Sequence, residues 1–424
     1  MAVGGIGGTG APVGTADLAR IQHRTLAVVM TAQVLAGAGL AAGISVGGLL
    51  AESMLSTNAL AGLPAGLFTL GSALTAFLVG RITHRWGRRR GLGLGFAAGA
   101  LGAVGVVTAA VTGSVPLLFV ALFVYGAGSA TNLQSRYAGT DLAEPSHRGR
   151  AVSVALVATT VGAVAGPNLI TPMGRVAVAV GIPALAGPFL LAAAAYASAG
   201  AALVALLRPD PYLLARSLQE PPVAGDGTVP ASVVRPRAGA YAGATVMILT
   251  QLAMAAVMTM TPIHMRAHHQ TLTAVGVVIG LHIAAMYLPS PVTGMLVDRL
   301  GRGAVAVASA ATLLAAGVVA ATAPGGSLGG LIAALMLLGL GWNLGLISGT
   351  ALVIDATVPE NRPQTQGTID VLIALSGATG GVMSGVVMAS SSYATLSLAG
   401  GVLSLVLVPV VAWARRRDAV ALPG

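Results

Sequence analysis

Cysteine and lysine are both absent from this chain of 424 residues, and charged residues of any kind are scarce. Without cysteine there can be no disulfide, no thiolate metal site and no cysteine nucleophile. Charged residues make up 8% of the chain, about a third of the share that a soluble protein of this length carries. Aromatic residues reach only 4%. These shortages exclude an ordinary soluble domain.

Hydrophobic residues fill the chain instead, at 55%, and glycine occurs 59 times, as expected where helices pack closely in lipid. The net charge of +10 could suggest a nucleic-acid partner. However, the arginines are scattered through short loops between long apolar runs, so they form no basic face for a phosphate backbone. The composition predicts an all-α membrane protein whose partner is the lipid bilayer and not nucleic acid.

Twelve apolar runs are long enough to cross a bilayer as helices. They cover approximately 26–50, 59–80, 91–112, 116–138, 151–172, 186–207, 240–263, 273–296, 303–323, 328–352, 366–390 and 394–414. The polar, proline-rich segment between the sixth and seventh runs predicts a linker. We therefore expect a tail over 1–24, a six-helix half over 25–207, a linker over 208–238, a second six-helix half over 239–414 and a tail over 415–424.

The distribution of arginine predicts the orientation in the membrane. If the N-terminus is inside, 19 arginines lie in the inner segments, Arg136 lies near the inner end of the fourth span, and only Arg175 and Arg266 lie outside. Under the positive-inside rule, this asymmetry predicts that both termini and the linker are cytoplasmic. The expected location is the cytoplasmic membrane, which the chain would cross many times.

The chain also repeats itself at an offset of 214 residues, and the matches fall in its charged loops. Asp141 and Arg148 recur as Asp355 and Arg362. The first inner loop gives four more pairs: Gly80 with Gly294, Arg85 with Arg299, Gly87 with Gly301, and Arg88 with Arg302. A duplicated half of this size is typical of secondary transporters. The repeat predicts two pseudosymmetric halves related by a two-fold axis along the membrane normal.

The loop GRITHRWGRRR at 80–90 resembles the signature loop of the major facilitator superfamily, Gly-x-x-x-Asp-Arg-x-Gly-Arg-Arg. The resemblance implies a twelve-helix major facilitator fold that works by alternating access. It also implies a cytoplasmic gate formed by Gly80, His84, Arg85, Gly87, Arg88, Gly294, Asp298, Arg299, Gly301 and Arg302. In the family the aspartate helps to lock this gate. Because His84 replaces it in the first copy, the stronger latch is expected at Asp298.

Methionine and histidine recur at helical spacing in the second half. Met254 and Met258 share a face of span 7, and His282 and Met286 share a face of span 8. Thioether and imidazole ligands together suit Cu(I). The pattern resembles the CcoA-type copper importers, a branch of the same superfamily, with Met-x-x-x-Met in span 7 and His-x-x-x-Met in span 8. Further candidates at the outer mouth are His264, Met265, His268 and His269.

Other interpretations remain open at this point. A methionine pair at this spacing is more often a packing contact than a ligand pair, and related members of the copper-importer branch are thought to carry riboflavin. Asp370 is a candidate proton-coupling carboxylate, or else an interfacial residue near a helix N-terminus. A membrane sensor that transports nothing is a further alternative, although such proteins usually add a soluble domain.

The preferred interpretation is a monomeric secondary transporter that takes up copper or a copper complex. The alternative is a proton-coupled carrier of a small organic solute, by drug export or riboflavin-like uptake. The chain has no glycine-rich nucleotide-binding loop, which favours secondary transport over transport driven by ATP. As a transporter, the protein is not expected to be an enzyme. No cofactor is expected either, because copper would be the substrate.

Overall fold

A computed structural model describes residues 15–54, 63–218 and 237–420, and every regular element in these ranges is helical. The helices of the first half are α1 (Thr15–Met54), α2 (Leu63–Trp86), α3 (Arg88–Thr112), α4 (Val115–Ala138), α5 (Arg148–Ala179), α6 (Gly187–Leu206) and the short α7 (Pro211–Ser217). Those of the second half are α8 (Ala238–Ala267), α9 (Leu272–Tyr287), α10 (Ser290–Leu300), α11 (Arg302–Thr322), α12 (Leu328–Asp355), α13 (Arg362–Ser390), α14 (Tyr393–Ser404) and α15 (Leu407–Val420).

Within the described ranges, 10 stretches are long and apolar enough to cross a membrane. Three of them join a pair of helices each: α6 with α7, α9 with α10, and α14 with α15. At the remaining predicted spans, the first and the fifth, lie α1 with 40 residues and α5 with 32, both longer than the roughly 20 residues that a crossing needs. The predicted fold class, an all-α multi-pass membrane protein, is confirmed.

The segments predicted as the N-terminal tail and the linker are partly helical. Helix α1 begins at Thr15 and so includes part of the predicted tail, where Gln22 donates to the Gly139 carbonyl at 2.7 Å. Helix α7 lies within the predicted linker, and the Asp210 carboxylate caps it by accepting from the backbone N–H groups of Tyr212 and Leu213. The rest of the linker, 219–236, lies outside the described residues.

The eighth span is broken, whereas the sequence pattern indicated one continuous helix. Helix α9 ends at Tyr287 and α10 begins at Ser290, with Pro289 at the break. Proline has no N–H to continue the ladder of backbone hydrogen bonds. Asn343 of α12 connects the two sides of the break, because its Nδ2 donates to the Met286 carbonyl at 2.7 Å and to Ser290 Oγ at 2.8 Å.

Each half has its own apolar core. In the first half, the rings of Phe96, Tyr125, Phe189 and Tyr196 pack together with centroids 5.4–5.8 Å apart. The core of the second half contains Trp342 and several methionines, and Tyr137, Val152 and Leu156 of the first half join it. The clustering of aromatic rings in one core and of thioethers in the other makes the two halves chemically unlike, despite the repeat.

The two halves meet at the ends of helices that the arginine distribution predicts to be cytoplasmic, called the inner ends below. Helix α2 packs on α13 there, and α10 packs on α5. A Cβ added to Gly80 would lie 2.7 Å from the Pro363 carbonyl oxygen, and one added to Gly294 would lie 2.7 Å from the Gly149 carbonyl oxygen. Each of these two helix–helix contacts, called seams below, therefore requires glycine. The two glycines are related by the repeat.

Candidate functional site

A buried ion pair joins the two halves inside the helical bundle. Arg136 Nη2 of α4 lies 2.8 Å from Asp370 Oδ1 of α13, and the two side chains are 0% and 3% exposed. Tyr137 completes the group: its hydroxyl accepts from Arg136 Nη2 at 2.7 Å and donates to Asp370 Oδ1 at 3.3 Å. Asp370 lies eight residues after the start of α13 at Arg362, about 12 Å into the helix.

This placement corrects the possibility that Asp370 is an interfacial residue at a helix N-terminus. It faces the other half and has a charged partner, which is the condition under which an ionised carboxylate is tolerated away from water. Arg136 likewise does more than set the orientation of the chain in the membrane, because it forms this ion pair. The role of Asp370 in coupling stays a prediction.

A second set of arginine–carboxylate pairs lies at the inner ends. Arg88 contacts Asp141 through Nε at 2.8 Å and Nη2 at 3.1 Å, and its Nη2 also donates to Gln366 Oε1 of the other half at 2.7 Å. At the repeat-related position, Arg302 Nε lies 2.8 Å from Asp355 Oδ2, and Arg148 of the other half lies 2.5 Å from Asp355 Oδ1. Each half thus presents an Arg–Asp pair that also contacts the opposite half.

Asp298 and His84, which occupy equivalent positions in the two loops, make different contacts. Asp298 accepts from the backbone N–H groups of Gly149 at 2.9 Å and Arg150 at 3.0 Å, in the first turn of α5. These N–H groups lack partners within their own helix and attract an anion. Within the part of the chain that the structure describes, His84 makes no such bond, and its Nδ1 lies 3.4 Å from the Tyr212 hydroxyl.

The reason for the difference lies in the helix that each residue faces. The residue that corresponds to Gly149 in the second half is Pro363, and proline has no N–H to offer a carboxylate. The stronger latch expected at Asp298 depends on its two contacts with the start of α5. The strength of that latch stays a prediction.

The remaining gate residues have turn or surface roles. Gly87 and Gly301 have φ angles of 87° and 89°, which side chains other than glycine rarely adopt. They allow the sharp turns from α2 to α3 and from α10 to α11. Arg85 and Arg299 are exposed, and the Arg85 guanidinium lies 5.5 Å from the centre of the Trp86 ring.

The four predicted copper ligands lie in or against the core of the second half. Met254 and Met286 belong to it, and Met258 is partly buried against it. His282 is fully buried on α9 and its Nδ1 lies 2.7 Å from the Leu335 carbonyl of α12. That carbonyl fixes the tautomer, with the proton on Nδ1 and a lone pair on Nε2. No described residue bonds Nε2.

The outer-mouth candidates lie in different surroundings. The His264 ring stacks on Tyr393 at 4.2 Å and lies 4.3 Å from the His268 ring. Met265 is fully buried in the second core, because it points about 100° away from His264 around the helix. His269 follows the helix with a φ of 59°. Among the described residues, no three His, Cys, Asp or Glu side chains form a group that could hold a metal ion.

A cluster of amide and aromatic side chains lies in the second half and was not predicted from the sequence. Trp342 Nε1 of α12 donates to Gln251 Oε1 of α8 at 2.8 Å. The Tyr287 ring meets the Trp342 ring edge-on, with centroids 5.7 Å apart and planes at 73°. The three residues come from three different spans, so only their unusual chemistry in apolar helices could have drawn attention to them.

Comparisons with known proteins agree with this architecture. The family model described as Major Facilitator Superfamily matches residues 29–262 and 243–423. The chain is 59% identical over 400 residues to the uncharacterized MFS-type transporter YdeG of Bacillus subtilis, covering 94% of this chain and 93% of YdeG. It is 30% identical to the riboflavin transporter RfnT of Brucella anthropi, covering 94% of this chain and 98% of RfnT.

A solved structure supports the fold. The crystal structure of the human organic anion transporter MFSD10 superposes with a TM-score of 0.72 at 17% identity, covering 92% of this chain and 99% of that one. At this identity the likeness concerns the fold alone.

Proposed function

Because the chain belongs to the Major Facilitator Superfamily, we propose that it takes up a planar organic solute of the riboflavin kind by alternating access. The cluster of Trp342, Gln251 and Tyr287 is the observation that carries this proposal. An aromatic face binds a flat ring system, and an amide recognises the alternating donors and acceptors on a flavin edge. The similarity to RfnT points to the same class of substrate.

The buried ion pair supplies the coupling in this proposal. A proton that binds Asp370 removes its charge and leaves Arg136 without a carboxylate partner. Because the two residues belong to different halves, their attraction holds the halves together at this level, and protonation weakens it. The proton would therefore favour separation of the halves, which alternating access requires at the inner side.

Uptake of radiolabelled riboflavin into cells that lack their own riboflavin transporter tests the proposal. We expect uptake with the native protein and strongly reduced uptake with Trp342→Leu or Gln251→Leu. Trp413→Leu is the matched control, because Trp413 is 44% exposed and lies in α15 outside the cluster. A protein present at normal levels that transports no flavin, or a Trp413→Leu defect as large as that of Trp342→Leu, would overturn it.

Copper uptake is kept as the second candidate because of one observation, the fully buried His282 whose Nε2 is unbonded among the described residues. A neutral imidazole with its lone pair on Nε2 is the form that binds a metal. Copper accumulation should then fall with His282→Ala and Met254→Leu but not with His147→Ala, whose ring is exposed near the inner loop. Equal copper content in all four strains would eliminate this candidate without affecting the flavin proposal.

A further inference from the structure

A cleft opens between the two halves near their inner ends, and the apolar side chains of Phe77 and Leu372 are exposed in it. Its volume is about 430 Å³. Phe77 and Arg81 of α2 form the wall from the first half, and α8 and α13 form the wall from the second half. The cleft takes no part in the contacts of the buried ion pair or of the amide and aromatic cluster.

The lining of the cleft changes character with depth. Arg81, Tyr241 and Gln364 line its inner end, where the helices leave the hydrocarbon. Ala244 and Leu372 lie about 9 and 15 Å further along α8 and α13 from the starts of those helices. Thr368 is the polar lining residue nearest the floor, so the polar groups are concentrated at the entrance. This gradient matches a molecule with a charged head and a hydrocarbon tail.

Charge identifies the head. Arg81 is exposed, and no carboxylate among the described residues pairs with it. Its guanidinium lies 4.2 Å from the centre of the Phe77 ring, so the aromatic face holds it at the cleft. Exposed Arg85 and Arg237 add positive charge at the same end of the bundle. The local charge therefore favours an anion.

We propose that this cleft binds the headgroup and upper acyl chain of an anionic phospholipid of the leaflet predicted to be cytoplasmic. Arg81 would bind the phosphate, with Gln364 and Tyr241 donating to the headgroup oxygens. Phe77 and Leu372 would contact the chain. Inner leaflets rich in anionic lipid attract basic residues at this level of the membrane.

A second cleft at a repeat-related position lacks this preference. Its volume is about 510 Å³, and Leu26 and Arg150 line it at positions that precede Ala240 and Gln364 by 214 residues. Glu144 also lines it and lies 3.6 Å from His147. Arg150 also belongs to this lining, but the Glu144 carboxylate offsets its charge, so the proposal concerns the Arg81 cleft alone.

Native mass spectrometry of the delipidated full chain, titrated with phosphatidylglycerol or phosphatidylethanolamine, tests the proposal. The native protein should retain phosphatidylglycerol preferentially, and Arg81→Gln should bind it about fivefold more weakly. Arg416→Gln, which removes an exposed inner arginine outside the cleft, should behave as the native protein. Ala244→Phe, which fills the floor without changing charge, should also reduce retention.

Three outcomes would overturn the proposal: equal retention of the two lipids, an unchanged affinity in Arg81→Gln, or an equal loss in Arg416→Gln. If the transported solute occupies the cleft instead, Arg81→Gln would raise the KM for that solute and leave lipid retention unchanged. These readouts are independent of the substrate proposed above, because lipid retention is measured without transport.

Discussion

Arg136 Nε donates to Thr350 Oγ1 at 3.2 Å, and Thr350 follows Arg136 in the chain by the repeat distance of 214 positions. Two repeat-related residues can touch each other only where the axis that relates the halves passes between them. Arg136 therefore lies close to this axis, and its partner Asp370 is bound where the two halves meet. A charge change at this point acts on both halves at once.

The first prediction concerns the stability of this ion pair. Asp370→Asn should lower the free energy of unfolding by about 3 to 5 kcal/mol, because it leaves the buried Arg136 without a charged partner. The double variant Asp370→Asn with Arg136→Gln should regain part of the loss. Thermal unfolding in detergent measures both, with Asp17→Asn as control because Asp17 pairs with Arg20 in the open. A double variant no more stable than Asp370→Asn alone would contradict the pairing.

The second prediction concerns the glycine seam between α2 and α13. Gly80→Ala places a methyl group 2.7 Å from the Pro363 carbonyl oxygen, so the inner ends cannot close fully. Overpacking costs about 1 to 3 kcal/mol, which shifts the ratio of open to closed molecules about 5- to 150-fold.

Because the chain has no cysteine, a single Ser153→Cys reports this opening without background. Ser153 is 1% exposed and faces Gly294 in the other seam. Its maleimide labelling should accelerate in the Gly80→Ala background. Gly280→Ala is the matched control, since a Cβ there has nothing within 4 Å. Labelling that is equally slow in both backgrounds would show that the seam tolerates the methyl group.

The third prediction separates Asp298 from His84. Asp298→Asn should weaken the inner seam by about 0.3 to 2 kcal/mol, because a charged acceptor at the start of α5 is lost. His84→Asp should add no comparable stabilisation, since Pro363 provides no N–H. The Ser153→Cys labelling rate and the free energy of unfolding are both measured for each of the two variants. A gain from His84→Asp as large as the loss from Asp298→Asn would refute the argument.

The fourth prediction concerns the broken eighth span. Asn343→Leu leaves the Met286 carbonyl without its side-chain donor, at a cost of about 1 to 3 kcal/mol for an unsatisfied buried group. Thr293→Val removes only the donation from Thr293 to Asn343 Oδ1 and should cost less. Thermal unfolding ranks the two variants, and the reverse order would mean that the break does not depend on Asn343.

Local sequence patterns predicted the helical class, the positions of the spans and the repeat, because each depends on composition or on residues close together in the chain. The pairing of Arg136 with Asp370 depends instead on residues 234 positions apart in different halves. Spacing likewise placed His282 and Met286 on one helix face but could not show that the Leu335 carbonyl fixes the imidazole. Pro289 could be read from the sequence, but the apolar run around it indicated one continuous helix.

The different contacts of Asp298 and His84 have a consequence for how the two copies of the signature loop diverge. A carboxylate at this loop position is bound best when the facing helix offers two N–H groups, as Gly149 and Arg150 do; Pro363 leaves only that of Gln364. Position 84 and position 363 should therefore co-vary among relatives: an acid at the first should accompany a residue other than proline at the second. The departure of His84 from the signature is then one half of a compensated pair, and the other half lies 279 positions later in the chain.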